Sequence, residues 1–145
     1  MDTTGTEKLR AALQISLLLV DDEPDFLETL EKHLTRKKIN TRTAESCVKA
    51  LQFMEQEPSD VIVMDVSMPE IDGLQCLKKV KEKWPETEII ILTGHASVKS
   101  GIEGMQGGAF DYCIKPIVTN DLAEKIELAA QKALINQKNK GKLED

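Results

Sequence analysis

Five residues able to handle a charged group stand at the ends of short apolar runs. They are Asp21 and Asp22 in "SLLLVDDEPDF", Asp65 in "VIVMDVSMPEIDG", Thr93 in "IIILTGHAS" and Lys115 in "DYCIKPI". The consecutive acids Asp21, Asp22 and Glu23 follow an apolar run directly, which is costly because like charges at close range repel and resist desolvation. Either a cation offsets that cost or the acids are solvated. A donor set of oxygens, with no Cys or His, selects a hard ion such as Mg²⁺, which keeps several waters and takes one or two carboxylates plus phosphate oxygens. Asp65 could then attack as a nucleophile, since carboxylates that form an aspartyl phosphate are an established class. A lysine supplies a point charge for phosphate, a threonine hydroxyl can hydrogen-bond a phosphoryl oxygen, and Gly94 leaves room for an incoming group. The acids are therefore expected to hold a metal and to stand open to water between events.

These residues are far apart in the chain, so the elements between them must bring them together. "SLLLV" (16–20), "VIVMDV" (61–66) and "IIILT" (89–93) are continuous apolar runs, as expected of parallel strands covered on both faces. "INTRTA" (39–44) alternates like a half-exposed edge strand, and "AFDYCI" (109–114) is a fifth candidate. Helical patterns lie between them. Phe26, Leu27, Leu30 and Leu34 follow Pro24, a favourable first-turn residue; Val48, Leu51 and Met54 follow Ser46, a candidate N-cap; Leu74, Leu77 and Val80 follow Asp72–Gly73 and end near Trp84. Val98, Ile102 and Met105 form a stripe closed by Gly107–Gly108, and Leu122, Ile126, Ala129, Ala130 and Ala133 form the last. All five stripes are expected to be core packing. Strand and helix thus alternate five times, which predicts an α/β fold with a parallel sheet, right-handed crossovers and helices on both faces. Ligands in such folds bind at the carboxyl ends of the strands, where the five residues above should converge.

Composition bounds the rest. The 145 residues suit one domain, with 41% hydrophobic and 30% charged residues, as in ordinary globular chains. A net charge of −6 argues against direct nucleic-acid binding through a broad phosphate-tracking surface. Cys47, Cys76 and Cys113 are scattered and odd in number, which suggests reduced thiols in a reducing, cytoplasmic setting, with Cys47 and Cys76 as core residues on helix faces. No apolar run approaches the ~20 residues that span a membrane, and no signal peptide is visible. Residues 1–14 read as an N-terminal extension, 15–137 as the folded domain, and 138–145 as a polar tail or the start of a linker.

The segments "LLLVDDEPDF", "VIVMDVSMPEIDGL", "IIILTGHAS" and "GAFDYCIKPI" resemble the receiver domain of two-component response regulators, of the CheY-like superfamily. The resemblance implies a doubly wound (βα)5, flavodoxin-like fold with strand order 2-1-3-4-5. It implies that Asp65 is the phosphoacceptor, that Asp22, with Asp21, binds Mg²⁺, and that the backbone carbonyl of Ser67 is a further metal contact. By the same resemblance Thr93 and Lys115 grip the phosphoryl group, Tyr112 is a switch that turns inward when Thr93 moves, and Lys115–Pro116 is a cis peptide. The side chains of Ser67 and His95 occupy positions that tune phosphoryl lifetime in the family. A sensor histidine kinase is the implied partner, with self-dephosphorylation and no separate substrate. The face from the fourth helix to the fifth is implied for homodimerisation, with Lys99, Glu103 and Asp111 as candidates for cross-partner ion pairs. An effector domain acting in transcription is the implied output.

Plainer readings stand beside these. Glu23 can simply favour a helix start, Tyr112 can be a half-buried strand aromatic, His95 an exposed loop residue and Asp72–Gly73 a turn and cap. A Mg²⁺-dependent phosphohydrolase would share the aspartyl phosphate, but such enzymes usually carry an acid where Ser67 stands. A flavin or nucleotide binder would be repelled by "DDEPD". A pure interaction module would not need Asp65, Thr93 and Lys115 together.

Overall fold

The computed structural model describes residues 14–144; residues 1–13 of the expected N-terminal extension lie outside the described residues. Five strands, β1 (Ser16–Val20), β2 (Asn40–Ala44), β3 (Val61–Met64), β4 (Glu88–Thr93) and β5 (Asp111–Ile114), form one parallel sheet in the order β2-β1-β3-β4-β5. The helices that connect them are α1 (Pro24–Arg36), α2 (Cys47–Gln56), α3 (Gly73–Lys83), α4 (Val98–Gln106) and, at the end, α5 (Thr119–Glu144).

The period of two along a strand explains why the central runs are apolar throughout. Leu17, Leu19, Val61, Val63, Ile90 and Leu92 face the core under α1 and α5. Leu18, Val20, Ile62, Met64, Ile89 and Ile91 face the core shared with Ala50, Met54, Leu77 and Val80 on the other side. Starts and stops follow local chemistry. Pro24 opens α1, the Ser46 and Asp72 side chains accept amide hydrogens from Lys49 and Gln75 at the starts of α2 and α3, and buried Trp84 closes α3.

Two expected stripes are displaced. Helix α2 buries Cys47, Ala50 and Met54, while Val48 is exposed. Helix α4 differs more: Val98, Ile102 and Met105 are exposed, at 82%, 53% and 49%, and the buried residues are Ser100 and Gly104. Successive helical residues turn by about 100°, so Ser100 and Gly104 lie roughly opposite Val98 and Ile102. The helix approaches the sheet through its small residues, close enough that a Cβ on Gly104 would stand 2.7 Å from Ile91 Cδ1.

The cysteine reading also changes. Cys47 and Cys76 are joined in a disulfide with Cα atoms 5.8 Å apart, and among the described cysteines only Cys113 is a free thiol, buried. Helices α2 and α3 cover the same face of the sheet, so residues 29 apart in sequence meet where the helices begin. Sequence spacing alone gives no hint of this.

The segment 138–144 continues α5 as helix instead of forming a separate tail. Polar contacts hold the approach to it against the amino-terminal ends of the strands. Glu88, buried at the start of β4, accepts from Asn136 Nδ2 at 2.7 Å and lies 3.5 Å from both Lys81 and Lys132. Gln137 donates to Asp60, and Lys140 pairs with Glu86 at 3.8 Å. Charge thus docks a stretch whose sequence has lost apolar periodicity.

The loop after β3 is the tightest point in the fold. Gly73 N–H donates to Val66 O at 2.8 Å, and a Cβ on Gly73 would stand 2.0 Å from the Asp65 carbonyl oxygen and 2.7 Å from Val66 Cα. The three nearest atoms, Asp65 O, Val66 Cα and Asp65 C, are all backbone, so no side chain can rotate away to relieve them. Gly73→Ala should therefore cost about 1–3 kcal/mol, as overpacking typically does. Urea denaturation should show a lower midpoint at unchanged slope, and an unaltered midpoint would contradict this packing.

Candidate functional site

The register of the sheet assembles the expected residues. Asp21 N–H donates to Ala44 O at 3.1 Å and Asp65 N–H to Val20 O at 3.0 Å, so both acids sit one step beyond adjacent strands. Lys115 N–H donates to Thr93 O at 2.9 Å, which sets the lysine beside the end of β4. Asp21, Asp65 and Thr93 are buried, whereas Asp22 and Glu23 are exposed. The expectation that the acids stand open to water thus holds for only part of the set. Asp21 and Asp65 are 3% exposed, and the cation that offsets their burial is Lys115. Its Nζ lies 2.6 Å from Asp21 Oδ2 and 3.7 Å from both Asp65 Oδ2 and Glu23 Oε1.

The other oxygens are oriented by backbone. Asp21 Oδ1 accepts from Glu23 N–H at 3.0 Å, Asp65 Oδ1 from Ser67 N–H at 3.2 Å, and Thr93 Oγ1 from His95 N–H at 3.0 Å. Three strand ends thus repeat one device, in which a side-chain oxygen accepts from the amide two residues on. Each buried carboxylate keeps one oxygen for its own loop and turns the other toward Lys115. The lysine is also positioned by a residue that sequence reasoning missed: Nζ lies 4.0 Å from the centroid of the Phe26 ring, within cation–π range. Phe26 is visible in the sequence only as one apolar residue of the α1 stripe.

Burial pushes the Asp21 carboxyl above its ordinary value, and the charge of Asp65 adds to this. The hydrogen bond and charge of Lys115 and the amide of Glu23 act in the opposite sense without cancelling it. For Lys115, burial alone would lower the pKa. The hydrogen bond and charge of Asp21, with the charges of Asp65 and Glu23, outweigh it and hold the ammonium above the usual lysine value. The two directions have different origins: burial raises Asp21, whereas the surrounding carboxylates raise Lys115.

Ligand oxygens of Asp21, Asp22, Glu23 and Asp65 lie within 4.8 Å of one another. All are hard donors, and their surplus negative charge is what Mg²⁺ would neutralise. The residues present fit that ion.

The other expected residues fall as follows. Ser67 and His95 are exposed in the loops after Asp65 and Thr93, and the Lys115–Pro116 peptide is cis. Tyr112 is half-buried and directed at α4, where its hydroxyl lies 2.5 Å from Ser100 Oγ and accepts from Ser97 N–H at 3.4 Å. Its ring passes over Gly101 and Gly104, and a Cβ on either would stand 3.7–3.9 Å from it. Ser100 is a second residue missed in the sequence, where it falls outside the Val98, Ile102 and Met105 stripe. Asp111, a candidate for a cross-partner ion pair, instead bonds Lys125 of its own chain at 2.6 Å.

A family model described as response regulator receiver domain matches residues 17–127. This chain belongs to the response regulator receiver domain family. It is 34% identical over 112 residues to response regulator protein PilR of Pseudomonas aeruginosa, covering 77% of this chain and 25% of that protein. Its identity to the DNA-binding transcriptional regulator NtrC of Proteus hauseri is 35% over 111 residues, covering 77% and 24% respectively. The chain therefore spans about a quarter of the length of these curated relatives. Among solved structures, a response regulator receiver domain protein from Clostridium thermocellum superposes with a TM-score of 0.77 at 30% identity, covering 82% of this chain and 96% of that one. The receiver domain thus has the doubly wound order implied by its motifs. No helix among the described residues is long and apolar enough to cross a membrane.

The raised Asp21 carboxyl gives a signed expectation. A carboxyl whose folded pKa lies above its unfolded value costs stability at neutral pH, and that cost is relieved as pH falls through the folded value. Asp21→Asn should therefore be more stable than the parent at pH 7, by an amount of order 1 kcal/mol. The difference should vanish in acid, and MgCl2 should raise the melting temperature of the parent more than that of the variant. A variant less stable at pH 7, or stabilised by Mg²⁺ as much as the parent, would contradict this reading of the pocket.

Proposed function

We propose that this receiver domain is a phosphoacceptor switch in which Asp65 takes a phosphoryl group from a phosphorylated histidine of a sensor kinase. The observation that carries the reading is the clustering of Asp21, Asp22, Glu23 and Asp65 within 4.8 Å of one another, with the Lys115 ammonium in ion-pair range of Asp21, Glu23 and Asp65. An Asp65 carboxylate oxygen attacks phosphorus as the bond to the histidine nitrogen breaks, so the kinase imidazole leaves with its electron pair. Mg²⁺ bound by Asp21, Asp22, Asp65 and the backbone carbonyl of Ser67 would neutralise charge on the phosphoryl oxygens.

The chain's own residues do the rest. Lys115 is already poised between the two buried acids and transfers part of its charge pairing to the new dianion. Thr93 exchanges the His95 amide for a phosphoryl oxygen. Tyr112 leaves Ser100 and turns inward, which changes the surface that α4 and β5 present. Such a change is a population shift, so the phosphoryl group need supply only a few kcal/mol of preference. Ser67 and His95, exposed two residues after Asp65 and Thr93, control access of water to the acyl phosphate and hence its lifetime. The domain on this reading has no separate substrate and catalyses only its own phosphorylation and dephosphorylation.

The wider assignment follows the same reading. The domain works in the cytoplasm, and its output is transcription through an effector domain, as the name of its relative NtrC, a DNA-binding transcriptional regulator, suggests. The face from α4 to α5 serves for homodimerisation, supported by the exposed Val98, Ile102 and Met105.

Incubation with acetyl phosphate and Mg²⁺ should add one phosphoryl group by mass spectrometry, lost with chelator and absent in Asp65→Asn. Equal labelling of the variant would remove Asp65 as the acceptor. Ser100→Ala, which deletes the hydroxyl that holds Tyr112, should ease the inward turn by about 1 kcal/mol and speed labelling roughly fivefold. An unchanged rate would show that this hydrogen bond does not hold the switch.

A further inference from the structure

The disulfide between Cys47 and Cys76 is not used by the phosphoacceptor reading, yet both of its ends lead to the acidic pocket. Cys47 is the first residue of α2, three positions after Ala44, whose carbonyl accepts the Asp21 amide at 3.1 Å. Cys76 lies three positions after Gly73, the residue packed against the Asp65 carbonyl and bonded to Val66 O. The bond closes a loop that contains β3, Asp65 and Ser67. It therefore ties the backbone support of one buried acid to that of the other. Both cysteines are essentially inaccessible, at 1% and 0% exposure, so exchange at this site requires α2 and α3 to part.

We propose that Cys47 and Cys76 form a reversible thiol–disulfide site that sets how firmly the acidic pocket is held, and with it the affinity for Mg²⁺ and the rate at which Asp65 is phosphorylated. The last of these rests on the phosphoacceptor reading. The oxidant is a low-molecular-weight disulfide such as oxidised glutathione. One cysteine thiolate attacks a sulfur of that disulfide, its S–S bond breaks and one thiolate leaves. The second cysteine then attacks the mixed disulfide and releases the other thiolate. The cysteines lose two electrons, the small disulfide becomes two thiols, and the two cysteine protons pass to them. Reduction reverses the sequence and releases α3 from α2, which loosens the turn beneath Asp65. Cys113 is a built-in control, since it is buried and has no cysteine partner. Burial, and then the charge of Asp111, pushes its thiol above the ordinary value, so it remains a thiol.

The full chain is treated with oxidised glutathione or with dithiothreitol, denatured, alkylated with iodoacetamide and weighed. Cys113 alone should be alkylated after oxidation, and all three cysteines after reduction. Three adducts in both samples would overturn the site. Mg²⁺ affinity by titration calorimetry and acetyl phosphate labelling are then compared in the two states. The reduced form should bind Mg²⁺ more weakly and label more slowly, by roughly 2- to 30-fold. The difference should persist in Cys113→Ser and vanish in Cys47→Ala and Cys76→Ala, whose folding is checked by circular dichroism. The comparison of the two states of the parent chain decides the matter even if those variants do not fold. Equal Mg²⁺ affinity in the two states would overturn the coupling. A redox-dependent Mg²⁺ affinity without labelling in either state would keep this proposal and remove Asp65 as acceptor.

Discussion

Lys115 reaches from the end of β5 to Asp21 at the end of β1, a contact of 2.6 Å between residues 94 apart in sequence. It also lies within ion-pair range of Asp65 and Glu23. Two buried carboxylates side by side would repel strongly without it, and removing the ammonium would leave them uncompensated, typically at a cost of about 3–5 kcal/mol. The half-buried ammonium is compensated by carboxylate oxygens and by the Phe26 ring, whose centroid lies 4.0 Å away. Acids at the ends of β1 and β3 are thus tolerable only in a chain that brings β5 to the same edge. The order β2-β1-β3-β4-β5 does so with short parallel strands and a helix between each pair.

Backbone amides refine what this charge pair sets. Asp21, Asp65 and Thr93 each accept a hydrogen bond from the amide two residues on, so each loop turns at once after its strand and holds its functional oxygen in place. The loop after β3 is the most constrained, because Gly73 lies directly against the Asp65 carbonyl. A pocket built in this way is preorganised around surplus negative charge, which suits a site for a divalent cation and phosphate oxygens.

The opposite edge of the sheet has its own polar cluster. Glu88 is buried among Lys81, Lys132 and Asn136, and these contacts hold α5 along the side of the domain as it runs on past the sheet. Between the two edges, α4 sits on the sheet through Ser100 and Gly104 and leaves its large apolar residues outside. A helix attached by small residues, with Tyr112 hydrogen-bonded to it, has few interlocking side chains to oppose a shift.

Much of this was legible in the sequence. Continuous Val, Ile and Leu runs specify strands covered on both faces because a period of two alternates their side chains between two cores. Polar residues after those runs specify the working edge, since all parallel strands end on the same side. Asp65, Asp21, Thr93 and Lys115 follow from that rule without any knowledge of contacts. Three things did not follow. The outward turn of Val98, Ile102 and Met105 depends on which face of α4 meets the sheet, and apolar residues at helical spacing look the same whether they face a core or solvent. The Cys47–Cys76 bond depends on α2 and α3 covering the same face of the sheet, which no local spacing encodes. The choice of Lys115 over solvent as the companion of the buried acids depends on distances across four strands. Local periodicity is a property of neighbouring residues and can be read from them, whereas the facing of a helix, the pairing of cysteines and the balance of buried charge arise only when distant segments are brought together.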